Sequence, residues 1–500
     1  MPPQTLTRPP GFSDRAGREA AESAALAARL HALMTRFGYQ MVETPFVEYA
    51  DLFLTKSGDE AVNRLFTFEL HGRQLCLRSE FTPSAARLYV ERYQHEPKPI
   101  RWQFGGPVFR YEASQRQLTM LGAELLGAAG AGSEAEIIGM AAHGLSTLGL
   151  TGWRVTIGHV GLLAQLLSTF GLDRRLQRTL LGQVENLRRL GRGRPYVEAE
   201  LASYYGTPTP NPEPISGEGE GDSPETWARL GRGLQWLLES ADLGTTGAGR
   251  TTEDIARRML KKRFLAEQAD QVGAALDLLE KVTAVAGHPD AAFPQLAALL
   301  PDDPATRRLF DECQAAVDLL PAYGVRPEQT YIQMGWARGL NYYTGIVFEL
   351  YDATGEQIGG GGRYDDLLRV LGATQDTPAV GFAYRLDRIL AEMRRQDLIS
   401  VAPPAPAALI VPVDAADDSE AARVAMALRE HAIVELYVPP TRSLSQVLAR
   451  ADKRGMPYVV IIGEAERRTG TLTVRDMRAG QQFSATLDEL RARIGEVNHA

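Results

Sequence analysis

What most constrains this chain is a change of period that later reverses. Up to about residue 130, short apolar runs alternate between turn residues, the pattern of strands joined by hairpins; from 163 to 320 apolar residues recur every three or four positions; after 330 the strand pattern returns. A sheet that is interrupted by helices and then resumed implies one α+β domain, with a mainly antiparallel sheet and helices packed outside it. Expected strands are 40–47, a hairpin 64–70 and 74–78, then 100–104, 108–112, 117–126, 330–336, 346–351 and 356–359, with helices at 15–36 and 133–148. The core is thus expected over 1–160 and 325–400 and the helical insertion over 161–324, where the Pro- and Gly-rich stretch 205–224 reads as a mobile loop. A stiff Pro/Ala run at 401–407 precedes a tail, 407–500, whose strands at 408–413, 433–438, 458–463 and 471–476 and intervening helical patterns make a small separate α/β domain.

Composition narrows the function classes. A formal charge of −8 and a pI near 5.7 exclude a diffusely basic surface, though not a local RNA-binding face. Cys76 and Cys313 are far apart and lack neighbours at ligand spacing, so neither a disulfide framework nor a usual zinc site is expected, and no metal site is assigned. Residues 1–18 lack the apolar stretch of a signal peptide, and no long uncharged apolar window occurs. A soluble, cytoplasmic protein without membrane contact is expected.

The densest chemistry lies in RGLNYYTG (338–345) and GGGGRYD (359–365). Four consecutive glycines offer no packing and cost backbone entropy, which is best explained by a backbone that approaches a ligand closely. With Tyr342, Tyr343, Arg338 and Arg363 they can line a pocket for a small zwitterion, the arginine gripping its carboxylate. A tight hairpin with exposed arginines is the alternative. LRSEFT (77–82) puts the Glu80 carboxylate and the Thr82 hydroxyl at a loop mouth, or else Arg78 and Glu80 form a surface pair. Arg110 and Glu112 likewise share a face and can simply pair in solvent.

Taken in order, these segments resemble the catalytic core of class II histidyl-tRNA synthetases and of their paralogue, the regulatory subunit of ATP phosphoribosyltransferase. FGYQMVETPFVE (37–48) is similar to the family's dimer-forming first motif, FRYE (109–112) to the start of the second and AVGFAYRLDR (379–388) to the third, and the two clusters above to its histidine signatures. The resemblance implies that Glu80, Thr82 and Tyr343 contact histidine, with Tyr342 in support. It implies that Arg338 activates the substrate carboxylate, and that Arg110 and Arg388 stand at the ATP-phosphate positions.

Two departures favour the regulatory relative. The connection after Glu112 is about four residues shorter than the synthetase loop over ATP, and Met120, a weak acceptor, falls where a synthetase glutamine holds the amino group. WRVTIGHVGLL (153–163) resembles the regulatory paralogue, although His159 itself reads as a satisfied strand-end histidine. Against these, the tail resembles the synthetase anticodon-binding domain. Between Asp414 and Glu496 it holds 13 acidic against 12 basic side chains, so Arg442, Arg450, Lys453 and Arg454 read equally as an RNA contact or a solvated helix face. The expectation is therefore a non-catalytic subunit binding histidine for feedback control of histidine biosynthesis. It would form a homodimer within a hetero-oligomer with the ATP phosphoribosyltransferase catalytic subunit and need no cofactor. The alternative is a divergent histidine–tRNA ligase using Arg110, Arg338 and Arg388 with ATP and magnesium, and binding tRNA through its C-terminal domain.

Overall fold

The structure, a computed structural model, describes residues 6–54, 65–111, 114–172, 174–188, 192–206, 269–335, 343–401, 405–437 and 443–498. The chain divides into two units, residues 1–14 with 23–399, and residues 15–22 with 400–500.

The first unit is built on a nine-stranded sheet in the order β1-β5-β6-β12-β11-β10-β7-β9-β8. Its strands are β1 (Gln40–Met41), β5 (Ile100–Phe109), β6 (Gln117–Leu126), β7 (Arg154–His159), β8 (Ala286–Gly287), β9 (Thr330–Gln333), β10 (Ile346–Tyr351), β11 (Gln357–Arg363) and β12 (Ala379–Arg385). All neighbours are antiparallel except β1 with β5 and β7 with β9. A separate three-stranded sheet joins β2 (Val47–Tyr49), β3 (Phe66–Leu70) and β4 (Arg73–Leu77), with His71 and Gly72 at positive φ in the hairpin turn. Helices Val160–Ser168, Arg174–Arg188, Gly193–Gly206, Ala269–Ala284, Pro289–Ala297 and Pro304–Leu319 supply most of the described residues between β7 and β9. The expected mobile loop 205–224 lies outside the described residues from position 207 onward.

Side chains alternate across a sheet, so β6 and β12 each offer two faces. Leu121, Ala123 and Leu125 pair on one face with Tyr384, Phe382 and Val380. Helix Ala131–Thr147 covers that face, where Tyr384 donates its hydroxyl to Ala141 O (2.5 Å) and a Cβ on Gly144 would stand 2.2 Å from that hydroxyl. The other face carries Met120, Gly122 and Glu124 opposite Arg385, Ala383 and Gly381. Phe81, Phe104, Val108 and Leu118 form a small buried cluster on that side, with Met120 and Ala383 packed against it.

Several expected elements differ in extent. The strands expected at 100–104 and 108–112 are one strand, because register holds through Gly105, Gly106 and Pro107 opposite Leu121, Met120 and Thr119. Those glycines fit tight packing rather than a break: a Cβ on Gly105 would lie 2.8 Å from the His31 ring, and one on Gly106 3.0 Å from the Arg78 guanidinium. The glycines at 359–362 likewise lie inside β11, paired on both edges, where a Cβ on Gly361 would come 2.0 Å from Gly381 O. The expected strand 40–47 is instead two short ones, β1 and β2.

The second unit holds a five-stranded sheet in the order β14-β13-β15-β16-β17, made of β13 (Ala408–Pro412), β14 (Val434–Leu436), β15 (Tyr458–Ile462), β16 (Leu472–Asp476) and β17 (Gln481–Ala485). The first three strands are mutually parallel and the last two add as antiparallel hairpins. β17 is polar and was not among the expected strands. Helices Asp418–Arg429 and Leu487–Asn498 cover one face through Val424, Leu428, Leu490 and Ile494; Leu444–Lys453 covers the other through Val447 and Ala451.

Among the described residues, no helix is long and apolar enough to cross a membrane.

Candidate active site

On the β6–β12 face turned away from helix Ala131–Thr147 lies a carboxylate that the sequence did not single out. Glu124 is fully buried, accepting from Thr82 Oγ1 (2.6 Å) and from the Tyr364 hydroxyl (2.5 Å). Burial pushes its pKa up to about 7 and the nearby Glu80 charge adds to this, while the two hydroxyl donors work in the other direction. Tyr364, also buried, is held well above its ordinary pKa by burial and by Glu124, so it serves as a neutral donor. Gly381 is required here: a Cβ on it would lie 1.6 Å from Glu124 Oε2. The signal was a lone Glu in the apolar run Leu121–Leu126, a residue almost never buried without a partner.

The expected histidine contacts gather around this carboxylate in part. Thr82 opens the helix Thr82–Leu88, and Glu80, half-buried, lies close enough to act on Glu124. The Tyr343 ring lies over Gly362, where an added Cβ would meet it at 3.0 Å. Arg338 and Tyr342 lie outside the described residues, as does Glu112.

Four residues along β12 from Gly381, the character of the face reverses. Arg110, just past the end of β5, donates Nε to Ser79 O (3.3 Å), and its Nη2 reaches Met120 Sδ at 4.0 Å. Arg388, on helix Leu386–Arg395, donates Nη1 to Gln357 O (2.6 Å) and pairs Nε with Glu356 (2.9 Å). Arg385, which also went unassigned in the sequence, lies close enough to both Arg110 and Arg388 for each to act on it. Asp387 accepts from the Thr119 N–H (2.9 Å), fixing the start of helix Leu386–Arg395 to β6.

Three other candidates are structural. Arg363 does not line the pocket: it is buried on the opposite side of β11, bonded to Glu134 (2.7 Å) and Ser133 Oγ (2.7 Å) beside helix Ala131–Thr147. Nor does Arg78 form a surface pair with Glu80. It is fully buried, donates to Pro107 O (3.0 Å) and Thr44 O (2.8 Å), and stacks on Phe46 and Phe81. His159 caps helix Val160–Ser168 by accepting from the Leu162 N–H (2.9 Å), and burial lowers its pKa to about 4. In the second unit, Arg454 is held by both oxygens of Glu435, and Arg442 lies outside the described residues.

The family described as Histidyl-tRNA synthetase matches residues 11–189 and 236–389, and that described as Anticodon binding domain matches 407–496. A histidine–tRNA ligase of Thermococcus kodakarensis is 30% identical over 494 residues, 96% of each chain. Among solved structures, a Bacillus halodurans protein described as an ATP phosphoribosyltransferase regulatory subunit/histidyl-tRNA synthetase aligns with a TM-score of 0.63 at 19% identity, covering 92% of this chain and 99% of that one. The histidyl-tRNA synthetase of S. aureus aligns with a TM-score of 0.62 at 19% identity, covering 98% of this chain and all of the other.

These findings overturn the expected regulatory subunit, and with it the assignment to feedback control of histidine biosynthesis; only the name of one structural neighbour points to the phosphoribosyltransferase partner. The relative matched at 30% over nearly the whole length is named a ligase, as are others at 26–29%. The likeness to the Bacillus halodurans protein, at 19% identity, speaks to fold alone. The short connection after Glu112 and Met120 were poor guides because the arginine end of the face persists beside them: Arg110 reaches Met120 rather than being displaced by it.

Proposed function

The chain belongs to the histidyl-tRNA synthetase family, with a class II catalytic fold and an anticodon-binding domain, and from that premise we propose that it is a histidine–tRNA ligase. One observation carries the reading: a single sheet face joins a buried carboxylate pocket at Glu124 to a guanidinium group at Arg110 and Arg388. A histidine sensor needs the first; only a substrate with phosphates gives the second a use.

In this reading Glu80 pairs with the ammonium of histidine, Thr82 and Tyr364 orient Glu124 to accept from the imidazole N–H, and Tyr343, with Tyr342, closes the pocket. Arg338 holds the substrate carboxylate. A carboxylate oxygen attacks the α-phosphorus of ATP, the bond to the bridging oxygen breaks and pyrophosphate leaves; Arg110 and Arg388 stabilise the charge that develops. A tRNA terminal hydroxyl then attacks the acyl carbon and AMP departs. No group of three or more His, Cys, Asp or Glu able to hold a metal occurs among the described residues. That suits magnesium held mainly by substrate phosphates with one or two carboxylates, for which Glu349, buried on β10, is in reach of the same face. The ion would neutralise phosphate charge.

We place the enzyme in the cytoplasm, as a homodimer through the first motif, where Met41, Phe46 and Val47 are exposed. The second unit would contact tRNA.

Histidine-dependent ATP–pyrophosphate exchange by the purified protein, followed by charging of tRNA, tests this reading. Exchange abolished by Arg338→Ala is expected; no exchange at all would sink it. Glu80→Ala is expected to remove histidine binding, since it leaves the ammonium unpaired, and unchanged calorimetric affinity would show the pocket to be elsewhere.

A further inference from the structure

We infer that Arg385 is a third phosphate-binding side chain, gripping the polyphosphate of a nucleoside triphosphate between Arg110 and Arg388. The inference takes its substrate from the reading above and deepens it.

Three observations support it. The first is position: Arg385 ends β12 on the face that carries Glu124, Gly381 and Ala383, opposite Met120 on β6. It lies four residues beyond Gly381, about 13 Å along an extended strand. A histidine anchored at Glu124 cannot span that length, whereas the polyphosphate of an ATP whose α-phosphorus faces the histidine carboxylate can. The second is an unused donor: Arg385 Nε is buried and has no hydrogen-bond partner among the described residues. Buried donors are rarely left so, and each one calls for an explanation such as a ligand.

The third is charge. Arg110 and Arg388 both act on Arg385 and, after burial itself, help to bring its pKa down to about 10. The neighbouring carboxylates Glu356 and Asp387 act on Arg385 in the opposite direction, but each is also engaged elsewhere: Glu356 pairs with Arg388, and Asp387 accepts from the Thr119 N–H. Three guanidiniums held together repel one another unless an anion joins them, and a polyphosphate offers several oxygens to planar donor forks.

The test titrates the full-length protein with inorganic pyrophosphate by calorimetry and measures histidine-dependent ATP–pyrophosphate exchange, for wild type, Arg385→Met and Arg385→Lys. Expected for Arg385→Met are ~10–100-fold weaker pyrophosphate binding and a similar rise in KM for ATP, with KM for histidine within about twofold, and partial recovery in Arg385→Lys. Without ligand, its melting temperature should be equal to or above wild type, since a like charge is gone. Unchanged pyrophosphate affinity, or equal loss of ATP and histidine affinity with a lowered melting temperature, overturns the inference in favour of a structural arginine. Exchange that is present but insensitive to Arg385→Met defeats this inference and spares the ligase reading. Pyrophosphate binding that depends on Arg385 without any exchange does the reverse.

Discussion

The two ends of the β6–β12 face share a scaffold and have opposite electrostatics. At Glu124 one carboxylate is fully buried and met by neutral hydroxyls, so its charge is costly and its pKa rises. At Arg110, Arg385 and Arg388 three cations lie half-buried, and Glu356 pairs with Arg388. Burial decides the difference. A desolvated acceptor selects a small donor by hydrogen bonding, while a partly solvated cationic group keeps its charge and attracts a polyanion.

The contrast can be broken most forcefully from the cationic end. Arg110→Ala is expected to lower the rate of pyrophosphate exchange ~100–1,000-fold while leaving calorimetric histidine affinity nearly unchanged; equal loss of both would mean the ends are not separable. Arg363→Met is a control from the opposite face. Breaking its buried pair with Glu134 should cost about 3–5 kcal/mol of stability in denaturant unfolding, with little change in either KM for the folded protein. Glu124→Gln should weaken histidine binding ~10–100-fold and leave pyrophosphate binding unaffected.

The same variant sharpens the comparison through pH. The folded pKa of Glu124, about 7, lies above its ordinary value of 4.5, so the folded state keeps a proton that the unfolded chain has lost between those values. Its contribution to stability is complete below about pH 4.5 and is lost as pH rises through about 7. Measured by circular dichroism, the melting temperature of Glu124→Gln relative to wild type should rise from about pH 5 to about pH 8; a flat difference would show that Glu124 titrates normally. The smallest effect is expected in the second unit. Arg450→Ala with Lys453→Ala should raise KM for tRNA only ~2–5-fold, more at low salt, because two exposed cations contribute little each.

Legibility differed between strands and side chains. The strand 117–126 and the strand 346–351 were readable because each is a short, mostly apolar run with turn residues beside it. The continuous β5 and the glycine-filled β11 were not, since Gly and Pro signal a break until His31, Arg78 or a neighbouring strand is known to press on them. Thr82 was singled out by its loop-mouth context, but its partner Glu124, forty-two residues away, was not. Arg363 looked like a pocket residue in sequence; only the side of β11 on which it emerges shows that it is not one.

By itself the sequence determined the α+β class, the interruption of the sheet by helices, the α/β tail and the family to which its ordered motifs belong, because period and motif order are properties of the chain alone. The tertiary structure decided which charged residues share a face and how deeply each is buried. Those two quantities set whether a carboxylate is a poised acceptor, an arginine a ligand or a strut, and neither can be read until distant strands are paired.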